Sequence, residues 1–267
     1  MVAEAVEPVA VAAASRPRIR IEGAAKSYSG RVVVDVDDLV LGDQPIAGLI
    51  GPNGAGKTTL MRMVMHSTPL DRGTITLLPV SGPAVTLSSL PAHRIAGHGV
   101  VKSNQVIMDF DKLTIWDSLL LAVTEARYEQ PQRIFSERTV FERHADEIRP
   151  YLEYFGFADP TAFALSAGEK KLLDILRCLL LKPTFLLLDE PTAGLPAELT
   201  EKVMKVIRDL AAAGTAVVVV EHDLNVIWNL CDEVLFMAEG SVILRGDPQT
   251  IRANRTVVEK YLGEGHV

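Results

Sequence analysis

The chain has 267 residues, of which 48% are hydrophobic, and this is enough for one large α/β domain with an inserted subdomain. Its formal net charge of −7 at pH 7 argues against general binding to nucleic acid, and we expect no nucleic-acid partner. No apolar stretch approaches the length of a transmembrane helix. The two cysteines, Cys178 and Cys231, lack a metal-binding spacing and suit a reducing cytosol.

The chain begins with a segment, residues 1–17, that is rich in Ala and Val but lacks the basic start of a secretory signal. We therefore expect a disordered tail there. Two short apolar runs follow, at residues 19–21 and 32–34, and predict strands that form an antiparallel edge.

Residues 51–58, G-P-N-G-A-G-K-T, have the form G-x-x-x-x-G-K-[ST] between a predicted buried strand at 46–50 and a predicted helix from residue 59. Glycines let the backbone close around an anion, and successive N–H groups at a helix N-terminus attract phosphates. Lys57 adds a cation for the β- and γ-phosphates, and the Thr58 hydroxyl is placed for Mg²⁺. The motif thus predicts ATP and Mg²⁺ as cofactors. The residues expected to bind the nucleotide are Asn53, Gly54, Ala55, Gly56, Lys57, Thr58 and Thr59.

Residues 106–165 have helical composition, with candidate helices at 116–127 and 141–155. Pro150 is expected to bend or end the second of these. The segment that follows, L-S-A-G-E at residues 165–169, precedes an amphipathic helical pattern, and Ser166 is a good N-cap for it.

Four apolar residues at 185–188 predict a parallel strand that is buried on both faces and ends at Asp189 and Glu190. Ligands of open α/β sheets bind at this carboxyl edge. Asp189 is expected to hold Mg²⁺ through water, and Glu190, one residue further out, to polarise the attacking water.

A further apolar strand is predicted at residues 217–220, just before Glu221 and His222, and a hairpin at residues 234–244 is expected to close the sheet.

In their order and spacing, these motifs resemble the ATP-binding-cassette (ABC) family over residues 18–263. The resemblance implies the P-loop NTPase cassette, an α/β fold with a mixed core sheet, an antiparallel β edge subdomain and an inserted α-helical subdomain at about residues 106–165. It also implies that residues 18–267 form a single ABC ATPase domain.

The resemblance carries further roles, position by position. Tyr28 corresponds to the aromatic residue that stacks on adenine, and a flat amphipathic ring suits a purine face. Gln105 corresponds to the glutamine that contacts Mg²⁺ and the attacking water, and His222 to the switch histidine that contacts the γ-phosphate. Ser166 and Gly168 would close over the γ-phosphate held by the opposite subunit, using a helix N-terminus for an anion.

Three further stretches resemble the importer ATPases for branched-chain amino acids, a group that includes urea and short-chain amide importers. They are residues 91–100, the L-T-I-W-D-S-L-L-L-A run after Gln105 and the final V-V-E-K-Y-L-G-E. The resemblance implies a peripheral subunit at the cytoplasmic face of the plasma (inner) membrane. Its partners would be integral membrane permease subunits, a second ABC ATPase subunit and, indirectly, a solute-binding protein. The expected function is ATP-driven import of branched-chain amino acids or a related small polar solute.

Several residues depart from the family pattern. Ala167 and Glu169 make the signature LSAGE rather than LSGGQ, and Pro196 replaces an Asp that often reaches across the dimer. Asn104 stands where importers of this group usually have an aromatic residue. Ala167, Glu169 and Pro196 lie in elements that would face the opposite subunit. We therefore expect a heterodimer with a different cassette, with a homodimer as the alternative.

Two other functions stay open from the sequence. One is an export ATPase of the lipopolysaccharide-transport type, whose cassette resembles this importer group. The other is a non-transport cassette protein of DNA repair or translation, although that class usually has two fused cassettes or long coiled-coil insertions, which are not found in this sequence.

Overall fold

The structure is a computed structural model that describes residues 16–103, 113–124, 137–159, 161 and 165–257. The predicted tail, residues 1–17, falls almost entirely outside these ranges, and Pro17 at its end is buried. Among the residues described, no helix is long and apolar enough to cross a membrane.

The strands form two sheets. The first has the order β2-β1-β4-β5 and is antiparallel, while the second has the order β10-β9-β3-β8-β7-β6 and is parallel except for the β9–β10 pair. The strands are β1 (Arg18–Tyr28), β2 (Arg31–Leu41), β3 (Ile46–Ile50), β4 (Arg72–Leu78), β5 (Val85–Thr86), β6 (Val100–Lys102), β7 (Phe185–Asp189), β8 (Ala216–Val220), β9 (Glu233–Ala238) and β10 (Ser241–Gly246).

The helices follow the pattern of an α/β fold, with three of them in the long connection between the adjacent strands β6 and β7. They are α1 (Lys57–Val64), α2 (Ala92–Ile95), α3 (Ile115–Thr124), α4 (Glu137–Phe155), α5 (Ala167–Leu180), α6 (Ala197–Ala212), α7 (Leu224–Leu230), α8 (Pro248–Ala253) and α9 (Arg255–Val257).

The central sheet is covered on both faces, which explains why its strands are apolar throughout. In β7, Leu186 and Leu188 pack into the core on the side of α5, α6 and α7, whereas Phe185 and Leu187 pack against the antiparallel sheet and α1. Alternate side chains of one strand point to opposite faces, so burial of both faces requires an uninterrupted apolar run. This arrangement confirms the predicted α/β fold with a mixed core sheet and a separate antiparallel sheet.

The observed elements extend the predicted ones at two places. The antiparallel strands predicted at residues 19–21 and 32–34 belong to β1 and β2, which are 11 residues each and contain register shifts that let the pairing continue. Helix α4 continues through Pro150 to Phe155, so Pro150 does not end it, while the alternative expectation that Pro150 bends the helix stays a prediction. A long helix can keep the hydrogen bonds of its other turns when a proline removes one backbone N–H donor.

Candidate active site

The phosphate loop connects β3 to α1, and two of its glycines are required by the backbone around them. An added Cβ at Gly51 would lie 1.9 Å from the Met237 carbonyl oxygen, and one at Gly56 would lie 2.5 Å from the Val33 carbonyl oxygen. At Gly54, by contrast, a Cβ would meet nothing within 4 Å. The loop is therefore held tightly against β9 and β2 on one side and is open on the other, where a ligand can approach.

The nucleotide-binding residues predicted from the motif follow this division. Ala55, Gly56 and Lys57 are buried, Thr58 and Thr59 in the first turn of α1 are partly buried, and Asn53 and Gly54 are exposed at the tip of the loop.

The Lys57 ammonium lies across the start of its own loop. Its Nζ donates to the carbonyl oxygens of Gly51 at 2.6 Å and Pro52 at 3.0 Å. Burial lowers the pKa of Lys57, while the negative charges of Glu190 and Asp189 oppose this and favour the cation. The Lys57 ammonium is therefore anchored to its own loop while the two carboxylates favour its charged form.

Asp189 ends β7 and is almost wholly buried, with 1% of its surface exposed. Its backbone N–H donates to Ser103 Oγ at 2.9 Å, and its Oδ2 accepts from Lys102 Nζ at 3.3 Å. Its other carboxylate oxygen, Oδ1, is buried and has no hydrogen-bond partner among the described residues.

The orphaned oxygen of Asp189 fits the predicted Mg²⁺ site. A buried carboxylate oxygen without a partner is costly unless a water or cation satisfies it, and Mg²⁺ prefers oxygen ligands and keeps part of its water shell. No cluster of three or more His, Cys, Asp or Glu side chains is placed to hold a metal in the described part of the chain.

Glu190 and His222, which follow different strands, are brought together at the edge of the sheet. His222 Nε2 lies 3.1 Å from Glu190 Oε1. The backbone of Glu190 adopts a left-handed conformation, with a φ of 52°, and its N–H donates to the Val220 carbonyl at 2.8 Å. This turn directs the chain away from β7 immediately after Asp189, and the Glu190 side chain is largely but not fully buried.

Glu221 is a buried carboxylate at the same edge whose role the sequence did not reveal. Its Oε1 accepts from the N–H and the hydroxyl of Thr192 at 2.8 and 2.7 Å, and its Oε2 accepts from the His222 N–H at 3.2 Å. Burial raises the pKa of Glu221, the hydrogen bonds from Thr192 and His222 lower it, and the nearby charge of Glu190 raises it. Glu221 therefore ties the chain after Glu190 to the chain before His222.

Tyr28 is the last residue of β1, and 47% of its surface is exposed. Lys26 Nζ lies 5.6 Å from the centroid of its ring. The ring is at the end of the β1–β2 hairpin, and β2 in turn contacts the phosphate loop through Val33. An exposed aromatic ring in this position is available for stacking, as the adenine prediction requires.

The signature segment starts α5 with a complete capping box. The N–H of Glu169 donates to Ser166 Oγ at 3.2 Å, and Glu169 Oε2 accepts from the Ser166 N–H at 2.8 Å and the Ser166 hydroxyl at 2.7 Å. These bonds lower the pKa of Glu169, so its negative charge persists at neutral pH. The acidic side chain that departs from LSGGQ thus caps the very helix terminus that is predicted to bind phosphate.

Gly168 lies beside Leu195 in the chain after Glu190, because an added Cβ at Gly168 would be 3.4 Å from Leu195 Cδ2. Among the described contacts, none joins Ser166 or Gly168 to the phosphate loop of the same chain. Gln105 and Asn104 lie outside the described residues, so the predicted roles of these two positions stay predictions.

Two groups in the site were missed from the sequence. Lys102 contacts Asp189 because β6 and β7 are neighbours, a pairing between strands separated by more than 80 residues that no local pattern reveals. Glu221 could have been predicted, because it follows the apolar run at 217–220 just as Asp189 follows the one at 185–188. Residues at the carboxyl ends of parallel strands lie at the same edge of the sheet.

Comparisons with known proteins agree with this site. The family described as ABC transporter matches residues 35–193. The chain belongs to the ABC transporter family. It is accordingly an ABC ATPase, a nucleotide-binding subunit of a transporter, and cassettes of this family dimerise and work with membrane permease subunits.

Curated relatives cover nearly the whole chain. A lipopolysaccharide export system ATP-binding protein of Haemophilus influenzae is 33% identical over 243 residues, 91% of this chain and 96% of the relative. High-affinity branched-chain amino acid transport ATP-binding proteins are 30% identical over 259 residues in Pseudomonas aeruginosa and 31% identical over 258 residues in Escherichia coli, with 94% of this chain and 99% of each relative covered.

A crystal structure of a nucleotide-free ATP-binding cassette from an ABC transporter superposes with a TM-score of 0.75 at 25% identity, covering 93% of this chain and 100% of that chain. The ADP conformation of MJ1267, an ATP-binding cassette of an ABC transporter, gives a TM-score of 0.74 at 23% identity and covers 93% of this chain and 99% of that chain, which supports the fold.

The capping box predicts a measurable pH dependence for Glu169→Gln. The amide can still accept from Ser166, but the negative charge at the helix N-terminus is lost, so we expect a free energy of unfolding lower by ~0.5 kcal/mol at pH 7. Because the pKa of Glu169 is depressed in the folded protein, its contribution is present above the ordinary glutamate pKa and is lost as the pH falls through the folded value. The difference between the two proteins should shrink below about pH 4.

Urea unfolding at a series of pH values measures this difference. Ser166→Ala removes the cap itself and should cost more, about 1 kcal/mol. A Glu169→Gln protein as stable as the parent at pH 7 would show that the carboxylate does not stabilise α5.

Proposed function

We propose that the chain binds and hydrolyses ATP to drive import of a small polar solute, with branched-chain amino acids or a related solute as the cargo. The convergence of Lys57, Asp189, Glu190 and His222 at one edge of the parallel sheet supports the ATPase chemistry. The importer relatives, which match over 94% of this chain, support the direction of transport. Export is the second candidate, because the lipopolysaccharide export relative is 33% identical.

In the proposed chemistry, the phosphate loop and Lys57 bind the β- and γ-phosphates, and Tyr28 stacks on the adenine. Thr58, Asp189 and Gln105 would hold Mg²⁺, which when bound supplies positive charge to the β- and γ-phosphate oxygens. Glu190 accepts a proton from the attacking water, and the His222 imidazole at 3.1 Å orients that carboxylate while its ring remains near the γ-phosphate.

In the proposed assembly, Ser166 and Gly168 contact the γ-phosphate bound to a second cassette, and the second cassette does the same in return. The pair works at the cytoplasmic face of the inner membrane beneath integral permease subunits, which a solute-binding protein supplies. We infer a heterodimer, because Pro196 is the N-cap of α6 and makes no side-chain cap hydrogen bond. Unlike the usual Asp, proline offers no side-chain group for a bond across the interface.

Glu190→Gln should bind ATP but hydrolyse it at least about a hundredfold more slowly, because the amide keeps the shape of the side chain but cannot accept the proton. Phosphate release and binding of a fluorescent ATP analogue measure the two effects separately. Lys57→Ala is the contrasting variant, and it should weaken nucleotide binding itself because it removes a phosphate-binding cation. Turnover of Glu190→Gln within a few-fold of the parent would exclude Glu190 as the general base.

The identity of the permease tests import against export. We expect the chain to co-purify from membranes with importer-type permease subunits, and solute uptake into vesicles containing that complex to stop with Glu190→Gln. Co-purification with lipopolysaccharide-export components would favour the second candidate. Recovery without any membrane subunit would contradict both.

The heterodimer proposal predicts weak self-association. With ATP, the Glu190→Gln protein alone should scatter light as a monomer, and addition of the partner cassette should give a dimer and, in the parent, faster hydrolysis. Pro196→Asp should strengthen self-association, because Asp caps α6 and restores a side chain that can bond across the interface. A tight homodimer of the otherwise unaltered chain, with activity independent of any second cassette, would overturn this part of the proposal.

A further inference from the structure

Lys102 contacts the carboxylate that is proposed to hold Mg²⁺. It is the last residue of β6, and its Nζ lies 3.3 Å from Asp189 Oδ2 and donates to the Ser103 carbonyl oxygen at 2.8 Å. The pair is well shielded from water, because the exposed fractions of the two side chains are 13% for Lys102 and 1% for Asp189.

The strands do not need this ion pair to stay together. Backbone pairing already joins β6 to β7 along the whole of β6, and the Ser103 N–H donates to the Leu187 carbonyl at 2.9 Å. The Ser103 hydroxyl also accepts from the Asp189 N–H at 2.9 Å. A charge in addition to these bonds therefore acts mainly on the Asp189 carboxylate itself.

Lys57, the other nearby cation, does not take the place of Lys102 beside Asp189. Burial lowers the pKa of Lys57 and the charges of Glu190 and Asp189 oppose that shift, but the Lys57 ammonium donates to the carbonyls of Gly51 and Pro52. In the described part of the chain, Lys102 is thus the cationic side chain that contacts Asp189, and it contacts one oxygen while the other is left without a partner.

We propose that Lys102 is a built-in counter-cation for Asp189 that lowers the affinity of the site for a divalent cation. The ammonium stabilises the buried carboxylate in the absence of nucleotide, and its positive charge opposes the arrival of Mg²⁺ at the same carboxylate. Metal then binds firmly only together with a nucleotide, whose phosphates supply the missing negative charge. This inference rests on the proposed role of Asp189 as the metal-binding carboxylate.

The proposal makes Lys102 a positioning and tuning residue, and the test compares neutral and charged replacements. Lys102→Met has a similar length without the charge, Lys102→Gln is a second neutral variant, and Lys102→Arg retains the charge. For each protein, binding of a fluorescent ADP analogue is measured in EDTA and then along a Mg²⁺ titration.

The neutral variants should need about tenfold less Mg²⁺ for half of the metal-dependent gain in ADP binding, a coupling of ordinary size between two adjacent charges. Their ADP affinity in EDTA should stay within about twofold of the parent, because Lys102 acts on the carboxylate rather than on the phosphates. Lys102→Arg should keep the Mg²⁺ requirement of the parent to within about threefold.

Thermal unfolding supplies a readout that does not depend on nucleotide affinity. Without metal, Lys102→Met should lower the unfolding temperature of the parent, and it should lower it much less in an Asp189→Asn background, where no buried charge is left unpaired. Equal losses in both backgrounds would overturn the proposal, as would an unchanged or higher Mg²⁺ requirement in the neutral variants. If ADP binding by the parent itself ignores Mg²⁺, the metal-binding role of Asp189 fails, and the failure is then distinguishable from one confined to the Lys102 variants.

Discussion

The site depends on how the carboxyl edge of a buried sheet accommodates carboxylates. Asp189 and Glu221 are both at least 98% buried, and Glu190, which follows Asp189, donates its N–H to the carbonyl of Val220, the residue before Glu221. A buried charge without compensation is strongly destabilising, so each carboxylate requires a partner. Lys102 contacts Asp189, His222 contacts Glu190, and Thr192 donates twice to Glu221. The charges that hydrolysis would use are therefore held in place before ATP binds.

The hydrogen bonds of Glu221 also link the site to the chain that follows Glu190. By accepting two hydrogen bonds from Thr192, Glu221 fixes the turn that starts at the left-handed Glu190. The Leu195 N–H donates to the Thr192 carbonyl at 3.1 Å, and Leu195 contacts the position of Gly168 in α5. Hydrogen bonds thus run from Glu221 through Thr192 to Leu195, whose side chain lies beside Gly168 in the signature helix.

The sequence predicted those features that have local causes. A both-face buried strand must be apolar along its length, so residues 185–188 stood out, and the G-x-x-x-x-G-K-T loop and the Ser166 cap depend on residues next to one another. The contact between Lys102 and Asp189 could not be predicted, because it follows from strand order across the helical connection. The helix predicted at residues 141–155 does run through Pro150 in α4, although an end at Pro150 was one of the two effects expected there, since a long helix tolerates one absent hydrogen bond when its other turns are packed.

Helices α5 and α6 differ in how their N-termini are capped, and the difference bears on the surface that this chain would present to a second cassette. Helix α5 starts with a capping box whose Glu169 carboxylate occupies the positive end of the helix, whereas α6 starts at Pro196 without any side-chain cap. In the proposed dimer, the Glu169 charge would oppose an incoming γ-phosphate, and Pro196 would have no polar group to offer across the interface. Each feature is tolerable within the folded monomer, because α5 is well capped and α6 buries Val203, Met204 and Ile207 in the core. In a symmetric pair, both composite sites would carry both features. In a pair with a different cassette, one composite site would contain the partner's signature, and the other would contain the partner's phosphate loop. In the proposed heterodimer, the Glu169 charge would therefore lie at only one of the two composite sites.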